Sequence, residues 1–395
     1  MQKQEQIELT SKEKATLEEK YTSTDFKLWN HADRIRHAHK TGEWYPVNVQ
    51  LAPEAKCNLA CSFCSTANRV FNNSIPFHPG DKSSGQYIPK GRDTPYSLTE
   101  FLDDIRELGG TGKHRLKSAE ITGGGDPQIY PWVNELIDYL DEHNISSGMI
   151  TNGALLKPNL KEESLDKLAW LRISLSVLDQ QNFFDKSTEK AGLDLIRGKI
   201  PHQSDIKGDL SFSYVWNFDS DLDKLRQIGE FAEEYDVTFV RIVPNCLDVQ
   251  GQKAYKEMLL PKIAEQNDEY KAPKLFFQTK EYSVHERCYI GRLKPFLNED
   301  GYVYHCSAAP LYHQKFTPHW RINGQKLPNG EFDPEPGHMS KVKDIWPNSF
   351  KEFNTSKCEA GKCFYVAQNR ILDAPVPEEV VQMPLDKQSP QERFI

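Results

Sequence analysis

The chain has 395 residues, of which 38% are hydrophobic and 27% are charged, and its formal net charge is −8. This composition is typical of a globular protein, and the length allows one large domain and a smaller one. No apolar run approaches the roughly 20 residues of a membrane-spanning helix, and the charged N-terminus lacks a secretory signal. The acidic charge argues against a broad nucleic-acid surface, which needs clustered lysine and arginine. The sequence therefore predicts a cytoplasmic protein without a membrane or nucleic-acid partner.

The predicted elements begin with a charged, helical stretch over residues 1–45. Alternating apolar residues then predict a strand over residues 45–53. The run Ser97-Leu98-Thr99-Glu100 is a capping box, which predicts a helix that ends near residue 108. Beyond it strands and helices alternate. Further strands are predicted at residues 118–122, 148–151, 171–177, 210–216 and 238–244. Helices are predicted at residues 130–143, 162–170, 178–196 and 222–235.

Six strands joined by helical crossovers predict an α/β fold with parallel pairing. Six units are too few for a closed barrel of eight, and periodicity alone does not separate a partial barrel from a doubly wound sheet. After residue 262 the alternation stops, and aromatic residues, prolines and four cysteines follow. The predicted organisation is a helical extension, an α/β domain, a small cysteine-rich α+β domain and a tail, at residues 1–45, 46–262, 263–370 and 371–395.

The eight cysteines suggest metal or redox chemistry, because disulfides are rare in cytosolic proteins. The first three lie in the run Cys57-Asn58-Leu59-Ala60-Cys61-Ser62-Phe63-Cys64, which has the spacing C-x3-C-x2-C. Three thiolates on one loop can hold three irons of a [4Fe–4S] cluster and leave the fourth iron open. A structural zinc site would want four ligands, usually as two separate pairs. The run therefore favours an iron–sulfur cluster with an open iron.

This spacing, with aromatic Phe63 before the last cysteine, resembles the motif of the radical S-adenosylmethionine (radical SAM) superfamily. The resemblance implies a partial (β/α)6 barrel on which Cys57, Cys61 and Cys64 hold the cluster, with Phe63 among the cofactor-binding residues. It implies that S-adenosylmethionine (SAM) is cleaved reductively and that a 5′-deoxyadenosyl radical removes a hydrogen atom from a substrate at the barrel mouth. An electron donor such as flavodoxin or ferredoxin is then an expected partner.

Residues at the ends of later strands are candidates for binding SAM. The run Gly123-Gly124-Gly125-Asp126-Pro127 resembles the GGE-P element that binds the SAM amino group in the superfamily, with Asp126 in place of glutamate. The resemblance assigns that role to Gly124, Gly125 and Asp126, and an ordinary strand–helix turn is the alternative. Asn152 follows the next strand. Ser174 and Ser176 share a predicted strand face. The resemblance implies that these two serines hold the ribose hydroxyls, with Asn152 as a further candidate. Capping or solvated strand-end groups are the alternative for these three residues.

The last four cysteines suggest a second centre. A turn signal at residues 298–301 predicts a hairpin that brings Cys288 and Cys306 together. The spacing of Cys288, Gly301 and Cys306 resembles the auxiliary-cluster modules called SPASM and Twitch, and four cysteines fit the one-cluster Twitch type. Cys358 and Cys363 follow on one short turn, but their C-x4-C spacing departs from the usual pattern. The resemblance implies an auxiliary [4Fe–4S] cluster, and a zinc site on the same four residues is the alternative.

Cys246 lies just after the sixth predicted strand, at the end where βα barrels carry their active sites. A thiol there could donate a hydrogen atom to a substrate radical, as in radical SAM epimerases. The alternative is a small buried residue. Asp248 and Arg241 are further candidates for acid–base or substrate contacts.

Three classes of function remain open. The first is a radical SAM enzyme that oxidises, epimerises or rearranges a small polar sugar, cyclitol or nucleoside, since the first 45 residues are too short for a winged-helix peptide-recognition domain. The second is a radical SAM enzyme that modifies a peptide, as in ribosomal-peptide or sulfatase maturation. The third is a non-catalytic, zinc-binding interaction protein. A protein of the same fold that targets RNA is a further alternative, which the acidic charge disfavours.

Overall fold

The structure is a computed structural model. It describes residues 17–22, 24–59, 61, 63–64, 97–109, 112–179, 191–218, 220–246, 248, 251–270, 274–278, 287–299, 301, 303–304, 306–307, 325–326, 332–333, 363, 365–382 and 393–395. Cys358, one of the predicted ligands, lies outside the described residues.

A nine-stranded sheet forms the centre of the fold, in the order β7-β6-β5-β4-β3-β2-β1-β8-β9. Its strands are β1 (Asn48–Ala52), β2 (Ser118–Ile121), β3 (Ser146–Thr151), β4 (Leu168–Ser174), β5 (Asp209–Trp216), β6 (Phe239–Pro244), β7 (Leu275–Phe277), β8 (Phe296–Asn298) and β9 (Val303–Tyr304). All neighbouring pairs are parallel except β8 and β9, which pair antiparallel. Strands β10 (Gln325–Lys326) and β11 (Phe332–Asp333) form a separate antiparallel pair.

From β1 to β7 the order in the sheet follows the order in the chain without a reversal. A doubly wound sheet has a point at which that order reverses, so the observed order differs from the doubly wound alternative. Because these strands are parallel, their carboxyl ends meet at one edge of the sheet. The loops that follow β1 to β6 therefore share that edge.

The helices are α1 (Leu17–Thr22), α2 (Thr24–Trp29), α3 (Ala32–Thr41), α4 (Leu98–Leu108), α5 (Val133–Glu142), α6 (Leu156–Asn159), α7 (Glu162–Leu165), α8 (Leu222–Glu234), α9 (Gln252–Asn267), α10 (Ile290–Leu293) and α11 (Val366–Asp373). The predicted capping box opens α4, where Ser97 Oγ accepts from Glu100 N and Ser97 N donates to the Glu100 carboxylate. Among the helices that the structure describes, none is long and apolar enough to cross a membrane.

Alternate strand residues separate the two faces of the sheet. Val49 and Leu51 of β1 belong to one buried core with Phe101 and Ile105 of α4. Successive side chains of a strand point to opposite faces, so Gln50 lies on the other face. We call that second face the inner face; a register-matched neighbour of Gln50 on it is Glu120 of β2. The inner face carries polar and charged residues where the helix-covered face is apolar.

The six predicted strands are all present, and the predicted hairpin is formed by β8 and β9 with Gly301 at φ 75° in its turn. One helix was predicted wrongly, and most of another, residues 180–190, lies outside the described residues. The predicted helix over residues 162–170 stops at Leu165, because the residues from Leu168 onward join the sheet as β4. The predicted helix over residues 178–196 is represented in the described residues by 3-10 turns, Ser176–Asp179 and Gly192–Leu195.

The sheet also extends beyond its predicted last strand. Strand β7 pairs with β6, and β8 pairs with β1, so residues after 262 add strands at both ends of the strand order. The boundary predicted at residue 262 lies inside α9. The N-terminal helices share a second buried core with C-terminal residues, which includes Leu28, Ile35, Leu293 and Leu372. Helices from the two ends of the chain therefore pack together in this core.

Candidate functional site

The cysteine loop and the glycine loop lie side by side at the carboxyl edge of the sheet. Residues that follow β1 lead into Cys57, and residues that follow β2 run along them. Gly125 N donates to Glu54 O at 3.0 Å, and Asp126 N donates to Lys56 O at 2.8 Å. A Cβ on Gly125 would lie 1.9 Å from Lys56 O, so this close approach requires glycine. The backbone therefore fixes Cys57 beside the run that sequence analysis assigned to SAM.

The Asp126 carboxylate is buried and joins the ends of β2 and β3. It accepts hydrogen bonds from Gln128 N at 3.0 Å, Thr151 Oγ1 at 2.9 Å and Asn152 N at 2.8 Å. Burial raises the pKa of the carboxyl group, while these donors act in the opposite direction. The carboxylate thus has a positioning role within the chain, and its predicted contact with the SAM amino group stays a prediction.

Asn152 reaches from the end of β3 to the cysteine loop. Its Nδ2 donates to Asn58 Oδ1 at 2.7 Å and lies 3.7 Å from Cys57 Sγ, while its Oδ1 accepts from Ala154 N at 2.9 Å. The predicted ribose contact is untested by this geometry. What the geometry adds is an amide that orients the first cysteine.

Ser174 and Ser176 form a second link to the cysteine loop. Strand β4 ends at Ser174 and Ser176 begins a 3-10 turn, so the two residues do not share a strand face as predicted. The turn nevertheless brings their hydroxyl oxygens to 3.0 Å from each other. The Ser176 side chain also hydrogen-bonds Cys61. The residues predicted to hold the ribose therefore adjoin the predicted cluster ligands.

The three N-terminal thiols are half-buried, and Phe63 lies in the turn between Cys61 and Cys64. Burial raises the pKa values of Cys57 and Cys61 to about 12, with a further contribution from the neighbouring Asp126 and Cys64, respectively. Leu59 N donates to Cys57 Sγ at 3.4 Å. Within the described ranges, no three Cys, His, Asp or Glu side chains have the spacing of a metal site. The donors aimed at sulfur nevertheless suit thiolate ligands, since hydrogen bonds to the sulfurs tune iron–sulfur clusters.

Three of the four later cysteines converge on Tyr365. The pKa of this buried tyrosine is raised well above its usual value, first by burial and then by charges that include Glu120, Cys306, Cys363 and Cys288. Asn369 connects two of the cysteine-bearing segments: its Oδ1 accepts from the backbone N of Tyr289 at 2.8 Å, and its Nδ2 lies 3.9 Å from Cys363 Sγ. Cysteines that are distant in sequence thus all act on Tyr365, and the auxiliary site that they would form stays a prediction.

Cys246 and Asp248 follow β6 at the same edge of the sheet. Cys246 is half-buried. Asp248 accepts from Gly251 N at 2.9 Å and from the Tyr255 hydroxyl at 2.5 Å, so it holds the entry to α9. The geometry gives Asp248 a structural role and leaves the hydrogen-donor role of Cys246 as a prediction.

A charged group on the inner face was not predicted from the sequence. Around Glu120 lie the cations Lys27, Arg172, Arg241 and Lys294, of which only Arg241 had been singled out. The available signal was alternation: Glu120, Arg172 and Arg241 each stand between apolar residues of a buried strand. Lys27 and Lys294 come from opposite ends of the chain, so no local pattern connects them to the strands.

No family model matches the chain. Two curated proteins match part of it, and each is described as an S-adenosylmethionine-dependent nucleotide dehydratase. The protein from Lacinutrix mariniflava is 25% identical over 126 residues, which are 32% of this chain and 22% of that protein. The protein from Flammeovirga pacifica is 23% identical over 124 residues, or 31% of this chain and 36% of that protein. The matched region thus spans well under half of these relatives.

The fold is similar to that of SuiB from Streptococcus suis. The crystal structure of SuiB bound to S-adenosylmethionine has a TM-score of 0.50 at 15% identity, and the match covers 81% of this chain and 70% of SuiB. SuiB bound to the precursor peptide SuiA gives a TM-score of 0.51 at 14% identity, with coverages of 86% and 72%. Together the relatives and the fold support the radical SAM superfamily resemblance and an enzymatic function.

Proposed function

We propose that the chain is a radical SAM enzyme with a partial (β/α)6 barrel, in which Cys57, Cys61 and Cys64 hold a [4Fe–4S] cluster. When bound, the cluster and SAM supply a 5′-deoxyadenosyl radical that abstracts a hydrogen atom from the substrate. The observation that carries this proposal is the contact of the cysteine loop with polar side chains from two other strand ends, Asn152 and Ser176.

The chain's own residues orient the ligands and the cofactor in this proposal. Leu59 N–H and the Asn152 amide point towards Cys57 Sγ, and the Ser176 side chain bonds Cys61. Such outer partners fix the orientation of metal ligands and tune the metal they hold. Ser174, bonded to Ser176, would contact the ribose, and the backbone of Gly124 and Gly125 beside Cys57 would receive the methionyl amino group.

For the substrate we favour a nucleoside or nucleotide among the small polar molecules considered. The support is the description of the two curated relatives as nucleotide dehydratases. Cys246, at the carboxyl edge of β6, is the proposed hydrogen donor in any outcome that requires one. A cytoplasmic flavodoxin or ferredoxin would deliver the electron.

We further propose a one-cluster, Twitch-type auxiliary site held by Cys288, Cys306, Cys358 and Cys363. The support is the grouping of three of these thiols around Tyr365 and the Asn369 bridge between their segments. Asn369 also accepts from Ile290 N at 2.9 Å, so it fixes the chain directly after Cys288.

The decisive experiment is anaerobic reconstitution of the full chain, followed by iron analysis and measurement of 5′-deoxyadenosine after reduction. Two clusters correspond to about eight irons per chain and one to about four. Cys57→Ala should abolish SAM cleavage. Cys246→Ala is the matched control for iron content, and it should retain the iron. The double variant Cys288→Ala, Cys306→Ala should lose about four irons. A colourless, zinc-loaded protein that leaves SAM intact would contradict the proposal.

Substrate class is tested separately. Single nucleoside triphosphates and, in parallel, synthetic peptides are added to the reconstituted enzyme, and increased 5′-deoxyadenosine with a mass change in the added compound identifies the substrate. Turnover of a peptide, with every nucleotide unchanged, would replace the nucleotide proposal by the peptide-modifying alternative.

A further inference from the structure

Within the described residues, the inner face of the sheet holds four basic side chains around one side-chain carboxylate, that of Glu120. Glu120 is paired: its carboxylate accepts from Lys294 Nζ and Gln50 Nε2, each at 2.8 Å. The remaining cations of the group are Lys27, Arg172 and Arg241, and Glu120 is the single carboxylate among the charges that act on Lys27. We call these three cations the inner cation group.

The two arginines of the inner cation group have few partners. Arg172 Nε donates to Ser211 Oγ at 3.4 Å, and its guanidinium lies over the rings of Trp170 and Phe239, 5.0 and 5.5 Å from the ring centroids. Arg241 Nε is buried and has no hydrogen-bond partner in the part of the chain that the structure describes. Two aromatic rings thus hold the Arg172 guanidinium in place. Arg241, in contrast, has an N–H donor without a partner among the described residues.

Burying such cations costs free energy unless an anion is near. The pKa of Lys27 is lowered to about 8, chiefly by burial and then by Lys294, and burial also lowers the pKa values of both arginines. Among the described residues, Glu120 is the carboxylate that these cations share, so their positive charge is only partly balanced there. Arg172 and Arg241 nevertheless keep part of their surface exposed.

The position of the inner cation group relates it to the proposed reaction site. Arg172 stands two residues before Ser174 on β4, so both lie on the same face of that strand, one step apart. Arg241 aligns with Ser213 of β5, which lies one strand from Ser174 in the register of the sheet. A substrate bound across the strand ends could therefore extend one end into the group.

We propose that the inner cation group is a phosphate-binding subsite, in which Arg172, Arg241 and Lys27 receive the phosphate of a phosphorylated substrate. A guanidinium presents paired N–H donors that match phosphate oxygens, and three cations suit a dianionic phosphate better than a single carboxylate. The proposal rests on the proposed function for the identity of the substrate, but phosphate binding itself can be measured without turnover.

The test uses the full, anaerobically reconstituted chain and its thermal unfolding. Inorganic phosphate, diphosphate and single nucleoside triphosphates are compared with sodium chloride at equal ionic strength. The phosphates should raise the melting temperature of the wild type and of Arg226→Gln, a control at an exposed, ion-paired arginine. They should leave Arg172→Gln and Arg241→Gln unshifted. Without phosphate, these two variants should melt no lower than the wild type, because each removes a poorly balanced cation.

Arg241→Lys gives a second measurement that does not depend on the glutamine variants. It keeps the charge but loses the paired donors, and equilibrium dialysis should show about tenfold weaker phosphate binding. Equal melting shifts in all proteins, no shift in the wild type, or a large fall in the melting temperature of Arg241→Gln without phosphate would overturn the subsite. So would a loss of SAM affinity in Arg241→Gln as large as its loss of phosphate affinity, since the group would then serve the SAM carboxylate.

The two proposals fail separately in these experiments. Wild-type enzyme that cleaves SAM but shows no phosphate-dependent shift would remove the subsite and leave the radical SAM assignment. Wild-type protein that binds phosphate through Arg241 but never cleaves SAM would support the subsite and remove the radical SAM assignment.

Discussion

The carboxyl edge of the sheet and its inner face differ in how far the chain supplies partners for their polar groups. At the edge, Asp126 accepts from three neighbouring donors and Asn152 uses both ends of its amide. On the inner face, Arg241 Nε has no partner among the described residues, and Lys27 faces three other cations and one carboxylate. The contrast suggests that the edge is fixed in advance, whereas the inner face is completed by a ligand.

This difference has an energetic meaning. Side chains locked by hydrogen bonds hold a site in its working geometry before anything binds. Unbalanced buried charge instead weakens the free protein and is relieved when a ligand of opposite charge arrives, which then stabilises the folded state. Substitutions at the edge should therefore lower the free energy of unfolding whether or not ligand is present. On the inner face the effect should depend on the sign of the charge that is removed: loss of the Glu120 carboxylate should destabilise the protein, and loss of a cation should not.

The largest effect is expected for Glu120→Gln. The substitution removes the carboxylate that pairs with Lys294 and leaves the cations around it uncompensated. Loss of one partner of a buried ion pair costs about 3–5 kcal/mol. Urea unfolding should show this decrease, and added phosphate should recover part of it. Arg241→Gln should not show the decrease. If Glu120→Gln and Arg241→Gln destabilised the protein equally, the charge imbalance inferred for the inner face would be wrong.

Asp126→Asn should have the next largest effect. The amide replaces one acceptor oxygen by an N–H group, which must face one of two backbone donors, Gln128 N or Asn152 N. A lost hydrogen bond to a buried charged group costs about 1.5–3 kcal/mol. The free energy of unfolding should fall by that amount, equally with and without phosphate. Asp223→Asn, at an exposed carboxylate, is the control and should change little. A phosphate-dependent effect at Asp126 would contradict the division between edge and inner face.

The sequence predicts the strands that carry this comparison because each has several alternating apolar residues and a glycine or polar boundary. Strand β7 has three residues, too few to establish a period, and it was missed. Strand β8 was predicted as one arm of the hairpin, but its pairing with β1 was not. The helix predicted over residues 162–170 was wrong because Leu168, Leu171 and Ile173 satisfy a strand once β3 and β5 lie on either side. Tertiary pairing overrides local preference at such positions.

The site could be predicted only where its residues lie close together in the sequence. The cysteine run identifies itself within eight residues, and the glycine run does so beside a predicted strand. The inward turn of the Asp126 carboxylate depends on the position of β3, and the inner cation group depends on Lys27 meeting Lys294. No sequence pattern encodes contacts between residues that far apart.

Ser176→Ala should have a small effect on stability and a larger one on the proposed cluster. The substitution removes the hydrogen bond to Cys61, worth about 0.5–1.5 kcal/mol in a typical case. Hydrogen bonds to cluster sulfurs influence the reduction potential, so the potential of the reconstituted protein should shift to a more negative value. Ser204→Ala, at an exposed serine, is the control. An unchanged potential, with the iron content intact, would mean that Ser176 does not act on the cluster ligand.

The smallest effect concerns the pH dependence of Lys27. Its pKa is about 8 in the folded chain, below the usual value of 10.5. Between these values the unfolded chain holds more protons, so the free energy of unfolding should rise with pH from about 8 to about 10.5. Below that window the destabilising effect of the charged Lys27 should be constant, so Lys27 should add no pH dependence there. The groups that face Lys27 are Lys294, Glu120, Arg172 and Arg241.

Lys27→Met isolates this contribution. The difference in unfolding free energy between the wild type and Lys27→Met should narrow by about 1 kcal/mol across the window. Lys262→Met, at an exposed lysine paired with Glu265, should show no such change. Bound phosphate should raise the pKa of Lys27 and move the window to higher pH, because an anion favours the protonated amine. If the pH window did not move when phosphate is added, Lys27 would not belong to the subsite, which would then consist of the two arginines alone.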